Sequence, residues 1–99
     1  MNNLLLKQLQ DIAKNYAAIE SILLFGSRAY GDHSELSDID LAVKAPNLTD
    51  LQWLVFTEEI ENTLDTLLKI DLILYDQAPY SLREQIDGCN KVLYDTHRA

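Results

Sequence analysis

Two acidic residues in the first half of the sequence have the spacing of a metal site. Residues 37–41 read SDIDL. In an extended strand the side chains alternate between faces, so Asp38 and Asp40 would point to one side and Ile39 and Leu41 to the other. Two carboxylates about 5 Å apart repel by roughly 3 kcal/mol at an effective dielectric of about 20. A divalent cation would relieve that repulsion, and hard oxygen ligands of this kind suit Mg²⁺.

A turn that could bind phosphate precedes these carboxylates. Gly26 and Ser27 follow the apolar run 21–25. Glycine allows close approach of the backbone, the serine hydroxyl is a donor, and a helix starting at Ser27 would present free amides to an anion. Arg28 adds a guanidinium that could contact a phosphate. Because Mg²⁺ usually takes its remaining ligands from substrate phosphates, the turn and the carboxylates together predict a site for a nucleoside triphosphate and metal.

A third carboxylate interrupts a second apolar run. Residues 70–74 read IDLIL, and charged residues rarely enter such strands without a reason. If this strand pairs beside the strand of Asp40, the carboxylates converge, and Asp71 could also accept the proton of an attacking hydroxyl. The predicted catalytic and metal-binding residues are Asp38, Asp40 and Asp71, and the predicted nucleotide-binding residues are Gly26, Ser27 and Arg28.

Nine segments are predicted to position these residues. Helical spacing of apolar residues predicts helices over 3–17 and from Thr49 to about Leu68, and Thr49 with Gln52 has the spacing of a capping box. A similar spacing of Ser81 and Glu84 predicts a short helix that ends near Gly88. The remaining segments are predicted as strands over 21–25, 38–44, 69–75 and 91–94, a brief helix over 27–31 and a polar loop over 32–37.

The long central helix has more apolar residues than one packing face requires. One stripe suits the core and comprises Trp53, Phe56, Ile60, Leu64 and Leu67. Leu51, Leu54 and Val55 lie outside that stripe. They are interpreted either as a wider core or, with Leu4 and Leu6, as an interface with another protein.

Composition limits the classes of protein to which the chain can belong. Its 99 residues, 47% hydrophobic and 24% charged, predict one globular domain over 1–99. A net charge of −8 argues against direct binding of nucleic acid and suits a basic partner. There is no apolar run of membrane-spanning length and no basic start typical of a secretory signal, and the lone Cys89 fits a reducing compartment, so a cytoplasmic location without membrane association is expected.

The motifs resemble those of a known family. Residues 25–29 (FGSRA), 37–41 (SDIDL) and 70–73 (IDLI), with the closing segment 88–94, are similar to the minimal nucleotidyltransferases of the polymerase-beta-type superfamily, the partners of HEPN-domain toxins in toxin–antitoxin pairs. One departure is Tyr30, where many members carry arginine. The resemblance covers most of the chain and implies an α+β fold with an α/β-type nucleotidyltransferase core, in which helices pack on one face of a small mixed β-sheet.

The same resemblance implies a reaction. The serine matching Ser27 binds nucleotide phosphate, the residues matching Asp38 and Asp40 bind Mg²⁺, and the residue matching Asp71 completes the carboxylates around two ions. AMP would pass from ATP to a hydroxyl, in this family a tyrosine of a HEPN ribonuclease toxin, which silences the toxin. Two alternatives stay open: a non-catalytic module that neutralises its partner by occlusion, and transfer to a small molecule such as an aminoglycoside with a partner supplying the acceptor site.

Overall fold

In the part of the chain that the structure describes, the fold consists of a four-stranded sheet and four helices. The computed structural model describes residues 2–31 and 37–97, so the predicted loop 32–37 lies almost wholly outside the described residues. None of the helices in these ranges has the length and apolar character needed to cross a membrane. The elements in chain order are α1 (Asn3–Ala13), β1 (Ser21–Phe25), α2 (Ser27–Tyr30), β2 (Ile39–Lys44), α3 (Asp50–Thr63), β3 (Ile70–Leu74), a 3₁₀ turn (Tyr75–Gln77), α4 (Tyr80–Gly88) and β4 (Lys91–Asp95).

The sheet is mixed, as predicted, with strand order β3-β2-β1-β4. β1 runs antiparallel to both β2 and β4, whereas β2 and β3 are parallel. A parallel pair needs a long crossover, and α3 provides it between β2 and β3. β3 and β4 are therefore the two edges of the sheet.

Helices α1 and α3 cover one face of the sheet, as predicted. Their buried residues, including Leu9, Phe56 and Ile60, pack with Ile22 and Leu41 in one cluster. The opposite face also carries apolar positions, and the short helix α4 covers them through Ile86, which packs with Leu23 and Ala42. The expectation of helices on one face therefore holds for the two longer helices, and α4 adds a partial second layer.

Side-chain caps set the start of two helices. Asn2 Oδ1 accepts from the Leu5 amide at 2.8 Å, which begins α1. Thr49 and Gln52 form the predicted capping box, with reciprocal bonds of 3.1 and 3.0 Å. The predicted cap at Ser81 is wrong, because α4 begins at Tyr80 and its N-cap residue, Pro79, lies two residues before Ser81.

A proline explains the early start of α4. Pro79 is the N-cap residue, with φ of −58° and no side-chain hydrogen bond, and its carbonyl accepts from the Arg83 amide at 3.0 Å. The fixed φ of proline places the helix start without a side-chain cap.

Two helices end earlier than their apolar patterns predict. α1 ends at Ala13 and α3 at Thr63. Leu64 is still buried after the chain has left the helix, but Leu67 is fully exposed, so the predicted core stripe fails at its last member.

The surplus apolar residues of α3 do not widen the core. Leu51, Leu54 and Val55 are 70%, 59% and 45% exposed. Leu4 is exposed as well, at 52%. The wider-core interpretation is therefore wrong for these residues, and the interface interpretation stays a prediction.

The contact between α1 and α3 gives a first testable prediction. Tyr16 follows α1, packs edge-on against Phe56 at a centroid distance of 5.2 Å, and donates its hydroxyl to Glu59 Oε1 at 2.7 Å. We expect Tyr16→Phe to lower the free energy of unfolding in urea at pH 7 by about 2 kcal/mol, because a hydrogen bond to a charged acceptor is lost. Tyr80→Phe is the control, because Tyr80 is 70% exposed.

The same bond predicts a dependence on pH. Burial, with the hydrogen bond and charge of Glu59, raises the pKa of Tyr16 to about 12. A raised pKa means that the contribution of the neutral hydroxyl is complete below about pH 10 and is lost as the pH rises through about 12. The difference between wild type and Tyr16→Phe should therefore shrink from pH 9 to pH 12. A difference that is constant over this range would contradict the role of the hydroxyl.

Candidate active site

Parallel pairing of β2 with β3 places two of the predicted carboxylates side by side. Asp40 and Asp71 are direct partners in the register, and the Ile39 amide donates to the Lys69 carbonyl at 2.9 Å where the pairing begins. By alternation both side chains lie on the face that α4 partly covers. The prediction that the strand of Asp71 runs beside the strand of Asp40 is confirmed.

The Gly26 turn packs directly against Asp40. Gly26 has φ 73° and ψ −156°, a backbone conformation essentially limited to glycine. A Cβ at this position would stand 3.3 Å from Asp40 Cγ and nearer still to Oδ2, closer than real Cβ atoms approach. Glycine is thus required for the backbone angles, and it also leaves the space that the Asp40 carboxylate fills.

Burial and neighbouring negative charge disfavour the ionised form of the Asp40 carboxyl group. Burial raises the pKa of Asp40 most, followed by the charge of Asp71 and a hydrogen bond with it, and then by the charge of Asp38. Lys69 acts in the opposite direction. Two carboxyl groups that share a site in this way are stabilised by a cation, so the donor set fits a hard divalent ion.

Asp38 lies at the margin of this pair. It is exposed and precedes β2, which begins at Ile39. Within residues 2–31 and 37–97 no three acidic, histidine or cysteine side chains are grouped as a metal site. The structure therefore brings together Asp40 and Asp71, with Asp38 near enough for its charge to act on Asp40, and a three-carboxylate cluster around two ions stays a prediction.

Arg28 supports the backbone that leads into Asp38. Its Nε and one terminal nitrogen donate to the Ser37 carbonyl at 3.1 and 3.0 Å. This fork joins α2 to the segment just before β2, so Arg28 holds the turn and the acidic strand together. The predicted contact of Arg28 with phosphate stays a prediction.

Ser27 is the first residue of α2, directly after the Gly26 turn. Gly26 is the N-cap residue, and its carbonyl accepts from the Ala29 amide at 3.0 Å. Ser27 therefore directly follows the turn that packs against Asp40, and the amides of a first helical turn have no partner within the helix and can bind an anion. The placement is compatible with the predicted phosphate contact of Gly26 and Ser27.

One residue of the site was missed in the sequence. Lys69 Nζ lies 3.4 Å from Asp71 Oδ1, and its side chain is 70% exposed. A pair this exposed contributes little to stability. Lys69 matters to the site because it places a positive charge beside the two carboxylates. The sequence feature that could have identified Lys69 is its spacing from Asp71. Two residues that are two apart in a strand share a face.

The geometry can hold a cation and a phosphate group next to each other. Two hard oxygen donors meet on one strand pair, a glycine turn packs against one of them, and a lysine lies beside the other. A hydroxyl placed near Asp71 would find a carboxylate to accept its proton. These are the requirements of phosphoryl or nucleotidyl transfer, in which positioning and charge stabilisation carry most of the catalysis.

Comparison with known proteins points to the same chemistry. The family model described as Polymerase beta, Nucleotidyltransferase matches residues 7–99. A relative from Methanocaldococcus jannaschii that carries the name protein adenylyltransferase is 35% identical over 74 residues, which cover 74% of this chain and 83% of the relative.

Solved structures with the same fold include toxin–antitoxin complexes. The crystal structure of a toxin–antitoxin with AMP-PNP contains a chain that superposes with a TM-score of 0.73 at 27% identity, covering 99% of this chain and 77% of the other. A structure of tri-AMPylated Shewanella oneidensis HEPN toxin in complex with MNT antitoxin gives a TM-score of 0.70 at 26% identity, covering 97% and 74%.

The contact between Gly26 and Asp40 gives a second prediction. Gly26→Ala should weaken binding of AMP-PNP with Mg²⁺ by at least about tenfold, because a methyl group displaces the Asp40 carboxylate and strains the turn. Isothermal titration calorimetry measures the dissociation constant. Gly31→Ala is the matched control, because Gly31 also has a positive φ, of 85°, but a Cβ there meets no atom of the described residues within 4 Å.

Both variants should lose stability by about 1–2 kcal/mol from backbone strain alone, and only Gly26→Ala should lose nucleotide binding. Equal nucleotide affinity in the two variants would contradict the assigned role of the turn.

Proposed function

Because the chain belongs to the Polymerase beta family of nucleotidyltransferases, we propose that it transfers AMP from ATP to a tyrosine hydroxyl of a HEPN ribonuclease toxin and so acts as an antitoxin. The observation that carries the proposal is the Asp40–Asp71 pair closed by the Gly26 turn. The relative named as a protein adenylyltransferase and the HEPN toxin complexes support the choice of a protein acceptor.

In the proposed reaction, the carboxylates hold the metal ion and the Gly26 turn binds the phosphates. Asp40 and Asp71, with Asp38 at the margin, would hold Mg²⁺, which supplies neutralisation of phosphate charge when it is bound. Gly26 and Ser27 offer backbone amides and a hydroxyl to the phosphates, and Arg28 keeps this turn in register with Asp38 through Ser37. In this proposal, these contacts position the α-phosphate of ATP relative to the carboxylates.

The acceptor hydroxyl approaches from the side of Asp71. Its oxygen forms a bond to the α-phosphorus, the bond to the leaving pyrophosphate breaks, and the hydroxyl proton passes to a carboxylate, for which Asp71 is placed at the sheet edge. Lys69, beside Asp71, can offset negative charge on the departing or attacking group.

Substitution of the carboxylates tests the proposal. Asp40→Asn and Asp71→Asn should each lower AMP transfer by at least about a hundredfold, because the cation and the proton acceptor are lost. Asp38→Asn should also lower it. The assay incubates the chain with Mg²⁺, α-labelled ATP and the HEPN-type protein that co-purifies with it or is encoded beside its gene, and intact mass with peptide mapping locates the added AMP.

The matched control is Asp11→Asn, because Asp11 is an exposed carboxylate of α1 that pairs with Lys7 at 3.5 Å. It should transfer AMP like the wild type, and EDTA should stop transfer in both. Full activity in Asp40→Asn or Asp71→Asn would contradict the proposed site.

A second candidate function rests on the surface of α3. Leu51, Leu54 and Val55 form an exposed apolar patch on the side of α3 that faces away from the sheet. If the chain neutralises its partner by occlusion through this patch, Leu54→Glu should abolish neutralisation, whereas Asp40→Asn should retain it. If neutralisation depends on catalysis, Asp40→Asn should abolish it.

A further inference from the structure

The exposed apolar patch of α3, formed by Leu51, Leu54 and Val55, continues along the helix as an acidic surface. Glu58 lies four residues after Leu54 and three after Val55, and Glu61 lies seven residues after Leu54, so both share the outward side of the helix with the patch. Both glutamates are exposed. The outward side of α3 is thus apolar in its first half and acidic in its second half.

No basic residue of α3 balances this acidic surface. The helix contains Asp50, Glu58, Glu59 and Glu61, and it has no lysine or arginine. The ion pairs among the described residues lie in α1 and at the start of β3, and neither involves α3. Glu61 also lies in the last turn of α3, where the helix macrodipole disfavours negative charge. Its charge is unfavourable for the helix itself, and a basic partner would compensate for it.

The backbone of α3 restricts how a partner can bind to this surface. Inside a helix the backbone amides and carbonyls bond to one another, so a partner contacts the surface through side chains and cannot add a strand. Side chains spaced by three and four residues form ridges that pack into the grooves of a second helix. An amphipathic helix with apolar residues against Leu51, Leu54 and Val55, and with lysine or arginine against Glu58 and Glu61, would match both halves of the surface.

The patch and the candidate active site lie on opposite sides of the sheet. α3 packs on the face that carries Ile22 and Leu41, whereas Asp40 and Asp71 lie on the face that α4 partly covers. A helix with its side chains is about 10–12 Å thick, so α3 and the sheet together separate the two surfaces by more than that distance. A helix bound on the patch would therefore leave the carboxylates and the Gly26 turn open.

We propose that the α3 patch, with Glu58 and Glu61, docks a basic amphipathic helix of the partner protein while the active site stays open. This inference rests on the proposed function for the identity of the partner, a HEPN-type protein, and it adds the surface that holds this partner. The docked helix lies across the sheet from Asp71, so the tyrosine that receives AMP belongs to another segment of the partner or to another copy of it.

Charge disfavours a second copy of this chain on the same surface. Pairing of two α3 helices would bring a further net charge of −8 and a second set of α3 carboxylates to the contact. Repulsion between like charges makes that pairing the weaker one. The same acidity disfavours nucleic acid and anionic lipid as occupants, since both attract lysine and arginine.

Substitution of one apolar residue tests the docking surface. Leu54→Glu should raise the dissociation constant for the HEPN-type protein of the transfer assay at least about tenfold, because a charge replaces the centre of the apolar contact. Leu67→Glu is the matched control, because Leu67 is also an exposed leucine but lies outside α3. Isothermal titration calorimetry measures the dissociation constants, and both variants should bind AMP-PNP with Mg²⁺ like the wild type.

Both substitutions add the same negative charge, so a loss confined to Leu54→Glu identifies the patch and excludes an effect of net charge. Equal affinity of the two variants for the HEPN-type protein, or no binding by the wild type, would overturn the proposal.

Salt dependence tests the basic character of the docked helix. The double variant Glu58→Gln with Glu61→Gln should bind the HEPN-type protein several-fold more weakly than the wild type at about 50 mM NaCl, and the difference should disappear at about 500 mM, where charges are screened. Asp11→Asn removes an exposed carboxylate of α1 and should bind like the wild type at both concentrations. Wild-type affinity in the double variant at low salt would contradict a basic occupant.

Nucleotide binding to the complex tests whether the active site stays open. AMP-PNP with Mg²⁺ should bind to the wild-type complex at least as tightly as to the free chain. A partner that covers the carboxylates would weaken this binding at least about tenfold, and that result would overturn the proposed geometry.

The outcomes distinguish this proposal from the proposed function. If the wild type transfers no AMP but Leu54→Glu weakens the complex, the transfer proposal fails and the docking surface stands. If Leu54→Glu transfers AMP with an unchanged KM, the docking surface is wrong and the transferase stands. A wild-type dimer in sedimentation that Leu54→Glu dissociates would assign the surface to a second copy and overturn the proposal.

Discussion

Parallel pairing of β2 with β3 is the constraint on which the rest of the structure depends. It aligns Asp40 with Asp71 on one face, and it requires α3 as the crossover that buries the opposite face. Because side chains alternate strictly along a strand, one residue of slippage would move Asp71 away from Asp40 and move Leu72 out of the core side. Ile70, Leu72 and Leu74 oppose that slippage, because they pack against the core cluster that contains the buried residues of β2.

At the candidate site, the Asp40 carboxyl group has an electrostatically unfavourable environment. Asp40 is partly buried next to a second carboxyl group, and its pKa is raised for both reasons. The surrounding structure nevertheless holds the group in place, since Gly26 packs against its carboxylate and Phe25 is its partner on β1. Such an arrangement is typical of a functional site.

Local patterns predicted much of this arrangement. Alternation in residues 38–44 and 70–74 was sufficient to predict the two strands, and the spacing of Thr49 and Gln52 predicted the start of α3. These features depend on backbone periodicity and on bonds within a few residues, which the sequence encodes directly. The convergence of Asp40 with Asp71 followed from them once the strands were assumed to be neighbours.

Features that depend on tertiary contacts were harder to predict. The end of α3 at Thr63 was missed because Leu64 stays buried after the helix ends, so the apolar pattern continues past the helical geometry. The start of α4 was misplaced because Pro79 set it in preference to Ser81. The bonds from Arg28 to the Ser37 carbonyl join residues nine apart, and no periodic signal in the sequence links these two positions.

Paramagnetic broadening by Mn²⁺ tests the central claim most directly. The side-chain carboxyl carbons of aspartates are observed by NMR while Mn²⁺ is added at a small fraction of the protein concentration, with and without AMP-PNP. We predict that the signals of Asp40 and Asp71 broaden first and more strongly with the nucleotide, while that of Asp11 stays sharp. Equal broadening of all three signals, or no broadening at Asp40 and Asp71, would contradict a cation-dependent nucleotide site at this strand pair.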